Sequence, residues 1–248
     1  MKTIINFAHR GASGYCPENT LAAFKKAIEL GATGIEIDVQ LTKDGRIVII
    51  HDESLKRTTG FNRLVKDIEY EELASLDAGS WFDPAFHSER IPLLEQLLEL
   101  LRQTNIILNI ELKNGIVQYP GMEQKVIDMV KAYDMSDRII LSSFNHYSLL
   151  LCKQLAPEIR TGVLYMEGLY RPWDYAAALQ ADALHPVKYA VTPEWTASAA
   201  AHGIAYHPFT VNETEEMERL IDAGVAGIIT DYPDRLAEVL LRRGAQAE

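Results

Sequence analysis

Gly34-Ile35-Glu36-Ile37-Asp38-Val39-Gln40 is a short run of β-branched apolar residues that carboxylates interrupt. Its composition predicts a β-strand, and the helical stretch Thr20–Leu30 precedes it. The alternation of an apolar run and a helical stretch continues in both directions along the chain. The predicted strands are Thr3–Arg10, Gly34–Gln40, Ile106–Lys113, Arg138–Phe144, Arg160–Tyr165, Asp182–Pro186, Ile204–Val211 and Ala226–Asp231. The predicted helices are Thr20–Leu30, Leu93–Arg102, Met122–Tyr133, His146–Leu155, Asp174–Leu179, Pro193–Ala201, Glu213–Ala223 and Pro233–Arg242.

This alternation predicts the fold class. Eight β–α units in about 250 residues are typical of an α/β (β/α)8 TIM barrel. A doubly wound open sheet is the competing architecture, but it usually has fewer strands at this length. The sequence therefore predicts a single TIM-barrel domain that spans residues 1–248.

One segment departs from the alternation, directly after the second predicted strand. Leu41-Thr42-Lys43-Asp44-Gly45-Arg46 leads into a second apolar run, and Asp-Gly between two β-prone runs predicts a hairpin. The hairpin would return His51 to the level of Asp38. The segment of about residues 53–91 is then a small insertion after strand 2.

The composition excludes several classes of protein. Hydrophobic residues make up 48% of the chain and charged residues 24%, which excludes a disordered chain. No apolar run approaches the ~18 residues that a membrane span needs, and the net charge of −11 argues against nucleic-acid binding. Residues 1–10 lack a signal-peptide pattern, and only two cysteines are present. We therefore expect a cytoplasmic protein with a small-molecule partner and no stable membrane insertion.

Charged residues lie at the predicted C-terminal ends of three strands, where barrel enzymes carry their active sites. Glu36 and Asp38 are two residues apart, so both point to one face of their strand, and Glu111 and Lys113 repeat this pattern. Three inward carboxylates need compensation, and an all-oxygen set of ligands favours Mg²⁺ or Ca²⁺ over zinc. With Arg10, Lys113 and a divalent ion, the site would carry a net charge of +1, which a phosphodiester monoanion would neutralise. The alternative is a buried ion network in which Arg10 and Lys113 pair with the carboxylates without a metal.

Two histidines accompany this cluster. His9 ends the first predicted strand and His51 ends the hairpin, so a base and an acid for phosphodiester cleavage are both available. The alternative is that each histidine donates a hydrogen bond in a polar loop. His185 and His207, at the ends of the sixth and seventh predicted strands, are interpreted either as pocket wall or as structural residues.

Two further segments have local interpretations. Asn212-Glu213-Thr214-Glu215 has the form of a capping box and predicts the start of a helix. Glu18-Asn19 precedes the first predicted helix, where Asn19 or Thr20 would cap the helix or the pair would orient Arg10 or the substrate.

Ordered sequence blocks over residues 3 to about 240 resemble the glycerophosphodiester phosphodiesterase family. The blocks are His9-Arg10-Gly11-Ala12-Ser13-Gly14, Pro17-Glu18-Asn19-Thr20, Gly34-Ile35-Glu36-Ile37-Asp38-Val39, Leu41-Thr42-Lys43-Asp44-Gly45, His51-Asp52, Glu111-Leu112-Lys113, Ser142-Ser143-Phe144-Asn145, Thr210-Val211-Asn212 and Thr230-Asp231-Tyr232-Pro233. A departure is Phe209, which occupies a position where the family often has tryptophan.

The resemblance implies a metal-dependent hydrolase that releases sn-glycerol 3-phosphate and an alcohol, such as choline, ethanolamine or glycerol, from glycerophosphodiesters. It implies metal ligands at Glu36, Asp38 and Glu111, an acid–base pair at His9 and His51, and substrate-binding residues at Arg10, Lys113 and Phe209. Which histidine is the acid stays open, as does the attacking group, which is either water or the glycerol 2-hydroxyl.

Three alternatives share parts of this pattern. One is a related phospholipase C- or D-type barrel enzyme that acts on a lipid phosphodiester, and Trp81, Phe82 and Phe86 are its candidate interfacial residues. The second is a catalytically silent phosphodiester-binding protein. The third is a metal-dependent sugar isomerase or aldolase, which would not explain the paired histidines.

Overall fold

The computed structural model describes residues 4–245, so Thr3 of the first predicted strand and both extreme ends of the predicted domain lie outside the described residues. Its strands are β1 Ile5–His9, β2 Gly34–Leu41, β3 Ile47–Ile49, β4 Ile107–Leu112, β5 Ile139–Ser143, β6 Arg160–Tyr165, β7 Ala183–Pro186, β8 Ala205–Tyr206 and β9 Gly227–Thr230. Its α-helices are α1 Leu21–Glu29, α2 Lys56–Thr59, α3 Tyr70–Leu73, α4 Leu94–Leu101, α5 Met122–Ala132, α6 His146–Leu155, α7 Pro172–Ala178, α8 Pro193–Ala201, α9 Thr214–Asp222 and α10 Pro233–Ala245. Short 3₁₀ helices cover Val65–Asp67, Pro84–Phe86 and Ser136–Arg138.

The strands form a barrel. Eight of the described strands pair in parallel in the order β8-β7-β6-β5-β4-β2-β1-β9. Backbone hydrogen bonds join the two ends of this order, because the Ala226 N–H donates to the Tyr206 carbonyl and the Ile229 N–H donates to the Pro208 carbonyl, both at 3.0 Å. The predicted TIM barrel is therefore confirmed.

Alternation along the strands separates two apolar layers. Ile35, Ile37 and Val39 of β2 face outward and belong to a buried cluster with residues of the covering helices, such as Phe24 and Leu97. Inside the barrel, a smaller apolar cluster is built from Phe7, Ile140 and Ile229. The inward positions of β2 between these layers are Gly34, Glu36 and Asp38, so this strand brings charge into the interior.

The predicted hairpin and the small insertion are also present. β3 pairs antiparallel with β2, and the turn between them places Gly45 at φ +76°, a conformation that favours glycine. The Ile50 N–H then donates to the Asp38 carbonyl at 2.9 Å, which returns His51 to the level of Asp38 as expected. The insertion has its own small apolar core, built around Leu55, Val65, Ile68 and Leu73.

His185 and His207 are buried inside the barrel, and their rings contact each other through His207 Nδ1 and His185 Nε2 at 3.1 Å. Burial lowers the pKa of His207 to about 3, and burial together with His207 lowers the pKa of His185 well below its ordinary value. Neither ring is among the described residues that line the cavity at the strand ends. The structural interpretation of these two histidines therefore fits better than the pocket-wall interpretation.

This pair predicts a pH-dependent loss of stability. A histidine that stays neutral in the folded state stabilises the fold fully above its unfolded pKa of about 6.5. That contribution is lost as the pH falls towards the folded pKa of His207, about 3. The free energy of unfolding, measured with urea, should fall between about pH 7.5 and about pH 5 in the wild type. In His207→Gln this decrease should be smaller by about 2 kcal/mol. The matched variant is His87→Gln at an exposed histidine, and an equal pH dependence in all three proteins would contradict the prediction.

Candidate active site

Three carboxylates meet at the C-terminal ends of neighbouring strands. Glu36 and Asp38 lie two residues apart on β2, and the parallel register places Asp38 beside Glu111 of β4. All three side chains are buried, and one oxygen from each lies within 4.8 Å of the others. The predicted cluster is therefore present as a compact acidic triad.

The charge of the triad is only partly balanced by its surroundings. Burial, with the neighbouring charge of Asp38, raises the pKa of Glu36 well above its usual value and that of Glu111 to about 7. Burial also acts to raise the pKa of Asp38, but the charges of Arg10 and Lys113 outweigh it and lower that pKa. The repulsion between these buried carboxylates favours their protonation, and a divalent cation bound by their oxygens would relieve it. The three oxygen ligands therefore suit a hard divalent cation.

Arg10 and Lys113 lie against this triad, as the sequence predicts. Lys113 Nζ is 2.9 Å from Glu111 Oε1 and 3.8 Å from Asp38 Oδ1, and Arg10 Nε is 3.3 Å from Asp38 Oδ2. The backbone N–H of Arg10 donates to Glu36 Oε2 at 3.1 Å.

The turn that positions Arg10 is sharply constrained. Arg10 has φ 54° and Gly11 has φ 82°. A Cβ atom added to Gly11 would lie 2.7 Å from the Ala23 backbone of α1, so only glycine fits there. The close contact between this turn and α1 therefore holds Arg10 over the end of β1.

His9 is held by a carboxylate. Its Nδ1 lies 2.6 Å from Asp231 Oδ1, and Asp231 also accepts hydrogen bonds from Ser13 Oγ at 2.9 Å and Asn212 Nδ2 at 2.7 Å. Burial raises the pKa of Asp231, but its hydrogen bond and charge interaction with His9 outweigh burial and give a pKa of about 2. Because the carboxylate holds the proton of His9 on Nδ1, the tautomer leaves Nε2 as the reactive nitrogen.

His51 has the same arrangement on the other side of the cavity. Its Nδ1 lies 2.7 Å from Asp52 Oδ1, and Arg57 Nε donates to Asp52 Oδ2 at 2.7 Å. The hydrogen bond from Arg57 lowers the pKa of Asp52 far below its usual value. Burial lowers the pKa of His51 and outweighs the opposing charge of Asp38, so the ring is neutral near neutral pH and can accept a proton.

One cavity of about 150 Å³ brings the predicted residues together. It is lined by His9, Arg10, Glu36, His51, Asn109, Glu111, Lys113, Phe144, Leu164, Phe209, Thr210 and Ile229. Phe209 forms part of its wall and stands edge-on to Phe144 at 6.2 Å between ring centroids. Asp38 is not a lining residue, but its carboxylate belongs to the triad directly beside the cavity.

The sequence interpretation missed the roles of Asp52, Asp231 and Asn19. Asp52 directly follows His51, and Asp231 follows the last strand, which barrel closure places beside His9. The positions of Asp52 and Asp231 in the sequence could therefore have identified both carboxylates as partners of the histidines. The sequence interpretation placed Asn19 at a helix cap or beside Arg10, because no local pattern shows that its amide donates to Asp38 Oδ2 at 2.9 Å.

Two local interpretations are resolved by these contacts. Thr20 caps α1, since its Oγ1 accepts from the Ala23 N–H at 3.3 Å, while Glu18 accepts from Arg10 Nη1 at 2.9 Å and so orients it. The capping box at Asn212 is wrong. The N-cap of α9 is Glu213 without a side-chain cap, and the amide of Asn212 is instead bonded to Asp231.

The fold and the site together define a class of protein: a (β/α)8-barrel enzyme with two carboxylate-paired histidines beside a buried acidic triad. The model of the Glycerophosphoryl diester phosphodiesterase family matches residues 9–235. The chain belongs to this family. The resemblance found in the sequence motifs is confirmed, and so is the prediction of a phosphoric diester hydrolase.

Individual relatives agree with this assignment. A glycerophosphodiester phosphodiesterase of Caldanaerobacter subterraneus subsp. tengcongensis is 50% identical over 98% of this chain and 100% of its own length. A solved putative glycerophosphoryl diester phosphodiesterase from Silicibacter pomeroyi has a TM-score of 0.90 at 29% identity, with 98% of this chain and 95% of that chain covered. A phosphodiesterase from Oleispira antarctica, solved in complex with the product sn-glycerol-3-phosphate, has a TM-score of 0.87 at 31% identity, with 96% of each chain covered.

Among residues 4–245, no helix has both the length and the apolar character that crossing a membrane requires.

Proposed function

We propose that this chain hydrolyses glycerophosphodiesters, such as glycerophosphocholine and glycerophosphoethanolamine, to sn-glycerol 3-phosphate and an alcohol. The observation that carries this proposal is the single cavity in which His9 and His51 flank the acidic triad. The solved relative from Oleispira antarctica supports the product, since it binds sn-glycerol-3-phosphate.

Glu36, Asp38 and Glu111 would hold one divalent cation, Mg²⁺ or Ca²⁺. The support is chemical, because the three carboxylates supply only oxygen ligands and their repulsion is costly without a cation. When bound, the cation would supply Lewis-acid polarisation of a non-bridging phosphate oxygen.

Arg10 and Lys113 would contact the phosphate. Both are ion-paired with the triad from the cavity side, so their charges are already oriented before a substrate enters. Such fixed charges stabilise the negative charge that develops on the phosphate oxygens, because the two side chains do not have to reorganise during the reaction.

The two histidines would divide the proton transfers. One Nε2 takes the proton of the attacking oxygen as the new phosphorus–oxygen bond forms, and the other gives a proton to the departing alcohol oxygen as its bond to phosphorus breaks. Asp52 and Asp231 hold both rings in the tautomer that these roles need. Phosphorus NMR distinguishes attack by water from attack by the glycerol 2-hydroxyl, because only attack by the hydroxyl passes through a cyclic phosphate.

Product analysis tests the proposed reaction. Purified protein with glycerophosphocholine and Mg²⁺ or Ca²⁺ should release sn-glycerol 3-phosphate and choline in equal amounts. Release of phosphocholine and glycerol instead would place the cleaved bond on the other side of phosphorus and contradict the proposal. Binding of the substrate without any product would favour the silent binding protein.

A further inference from the structure

A second cavity, of about 190 Å³, adjoins the active-site cavity and shares Glu111, Lys113 and Phe144 with it. Its remaining wall includes Glu53, Gly115 and Ile116, and we call it the Glu53 pocket. Ile116 is 81% exposed, so this pocket is the outer of the two. A phosphodiester whose phosphate lies between the histidines therefore has room in the Glu53 pocket for one of its two alcohol groups.

Glu53 gives this pocket a charge. Its carboxylate is half-buried and forms neither an ion pair nor a side-chain hydrogen bond with any residue between positions 4 and 245. The other acidic residues beside the histidines all have partners: Glu18 and Asp52 pair with arginines, and Glu111 pairs with Lys113. Lys113 does not neutralise Glu53, because its ammonium group is held 2.9 Å from Glu111.

The rest of the pocket suits an alkylated cation rather than a metal ion. Phe144 is 44% exposed and lines both cavities, while Ile116 adds an aliphatic side chain to the wall of the Glu53 pocket. A carboxylate beside an aromatic ring and an aliphatic side chain binds an organic ammonium group through charge attraction, cation–π contact and apolar contact. Of the two carboxylates that line this pocket, Glu111 belongs to the acidic triad and is paired with Lys113, which leaves Glu53, whereas a bare metal ion needs several oxygen ligands.

We propose that the Glu53 pocket holds the alcohol part of the substrate and selects alcohols that carry a positively charged nitrogen, either an amine or a quaternary ammonium. This inference rests on the proposed function, since it assigns the departing alcohol of that reaction to a particular place. An uncharged alcohol fills the same space without pairing with Glu53 and is cleaved less efficiently.

The test compares Glu53→Gln with the wild type on glycerophosphocholine and on glycerophosphoglycerol, which differ in the charge of the alcohol. In the variant, kcat/KM for glycerophosphocholine should fall by about 5-fold, as expected for the loss of one partly exposed charge pair while the contact with Phe144 is kept. The value for glycerophosphoglycerol should stay within about twofold. The matched control is Glu71→Gln on α3, which removes an exposed carboxylate of the insertion and should change neither value. Equal losses on both substrates, or no loss on either, would overturn the assignment.

Calorimetry with choline alone separates this inference from the proposed function. The wild type should bind choline, Glu53→Gln should bind it at least about 5-fold more weakly, and Phe144→Leu should also weaken binding. Wild-type protein that cleaves neither substrate would overturn the proposed function, and the choline titration would still decide whether the pocket takes a cation. Equal choline affinity in the wild type and in Glu53→Gln would reject the pocket even in an active enzyme.

Discussion

Replacing His51 by alanine is expected to lower kcat by about 10²–10⁴-fold, which is the usual contribution of a positioned acid or base to the rate. The ring belongs to the cavity wall, its Nδ1 is engaged by Asp52, and its lowered pKa keeps it neutral and ready to exchange a proton. Metal affinity should change little, because His51 is not part of the acidic triad. Steady-state kinetics with saturating Mg²⁺ or Ca²⁺ measures the effect.

The control for this variant is His202→Ala, at an exposed histidine after α8 on the outside of the barrel. It should retain wild-type turnover, and near-wild-type turnover of His51→Ala would remove His51 from the mechanism. A substrate with a nitrophenol leaving group shows whether His51 acts as the acid or as the base. The loss becomes much smaller on that substrate if His51 protonates the departing oxygen, and it stays the same if His51 deprotonates the nucleophile.

The second large effect is expected for Asp231→Asn, with a decrease in kcat of about 10²–10³-fold. Asp231 touches no substrate in the proposed mechanism and acts through His9, whose Nδ1 it holds at 2.6 Å. An amide at this position keeps the shape of the side chain but removes the negative charge that fixes the tautomer of His9. The loss should therefore appear in kcat rather than in KM.

Asp222→Asn is the matched variant for Asp231→Asn, since Asp222 is an exposed carboxylate at the end of α9 that pairs with Arg243. It should leave both kcat and KM unchanged. If Asp231→Asn kept wild-type kcat with a normal melting temperature, the carboxylate would have no part in orienting His9.

The sequence predicts most of the barrel because its evidence is local. Apolar runs, the Asp44-Gly45 turn and the strand-end charges each depend on residues close together in the chain. The i, i+2 spacing of Glu36 and Asp38 puts both on one face of β2, and parallel pairing with β4 then adds Glu111. The triad is therefore predictable from spacing and fold class alone.

Contacts made across the fold are harder to predict. The pairing of His9 with Asp231 joins residues 222 positions apart, and it depends on the closure of β1 against β9. Asn212 matches a capping pattern, yet its amide satisfies Asp231, because a charged partner competes with the backbone for that side chain. Local patterns cannot show which of two available partners a polar side chain takes.

The most direct measurement of the central claim is the release of sn-glycerol 3-phosphate from glycerophosphocholine after metal removal and metal restoration. The account predicts that a chelator abolishes turnover, that Mg²⁺ or Ca²⁺ restores it, and that Glu36→Gln needs a higher concentration of the same ion. Full turnover by protein shown by elemental analysis to be free of metal would contradict a catalytic role for the acidic triad as a metal site.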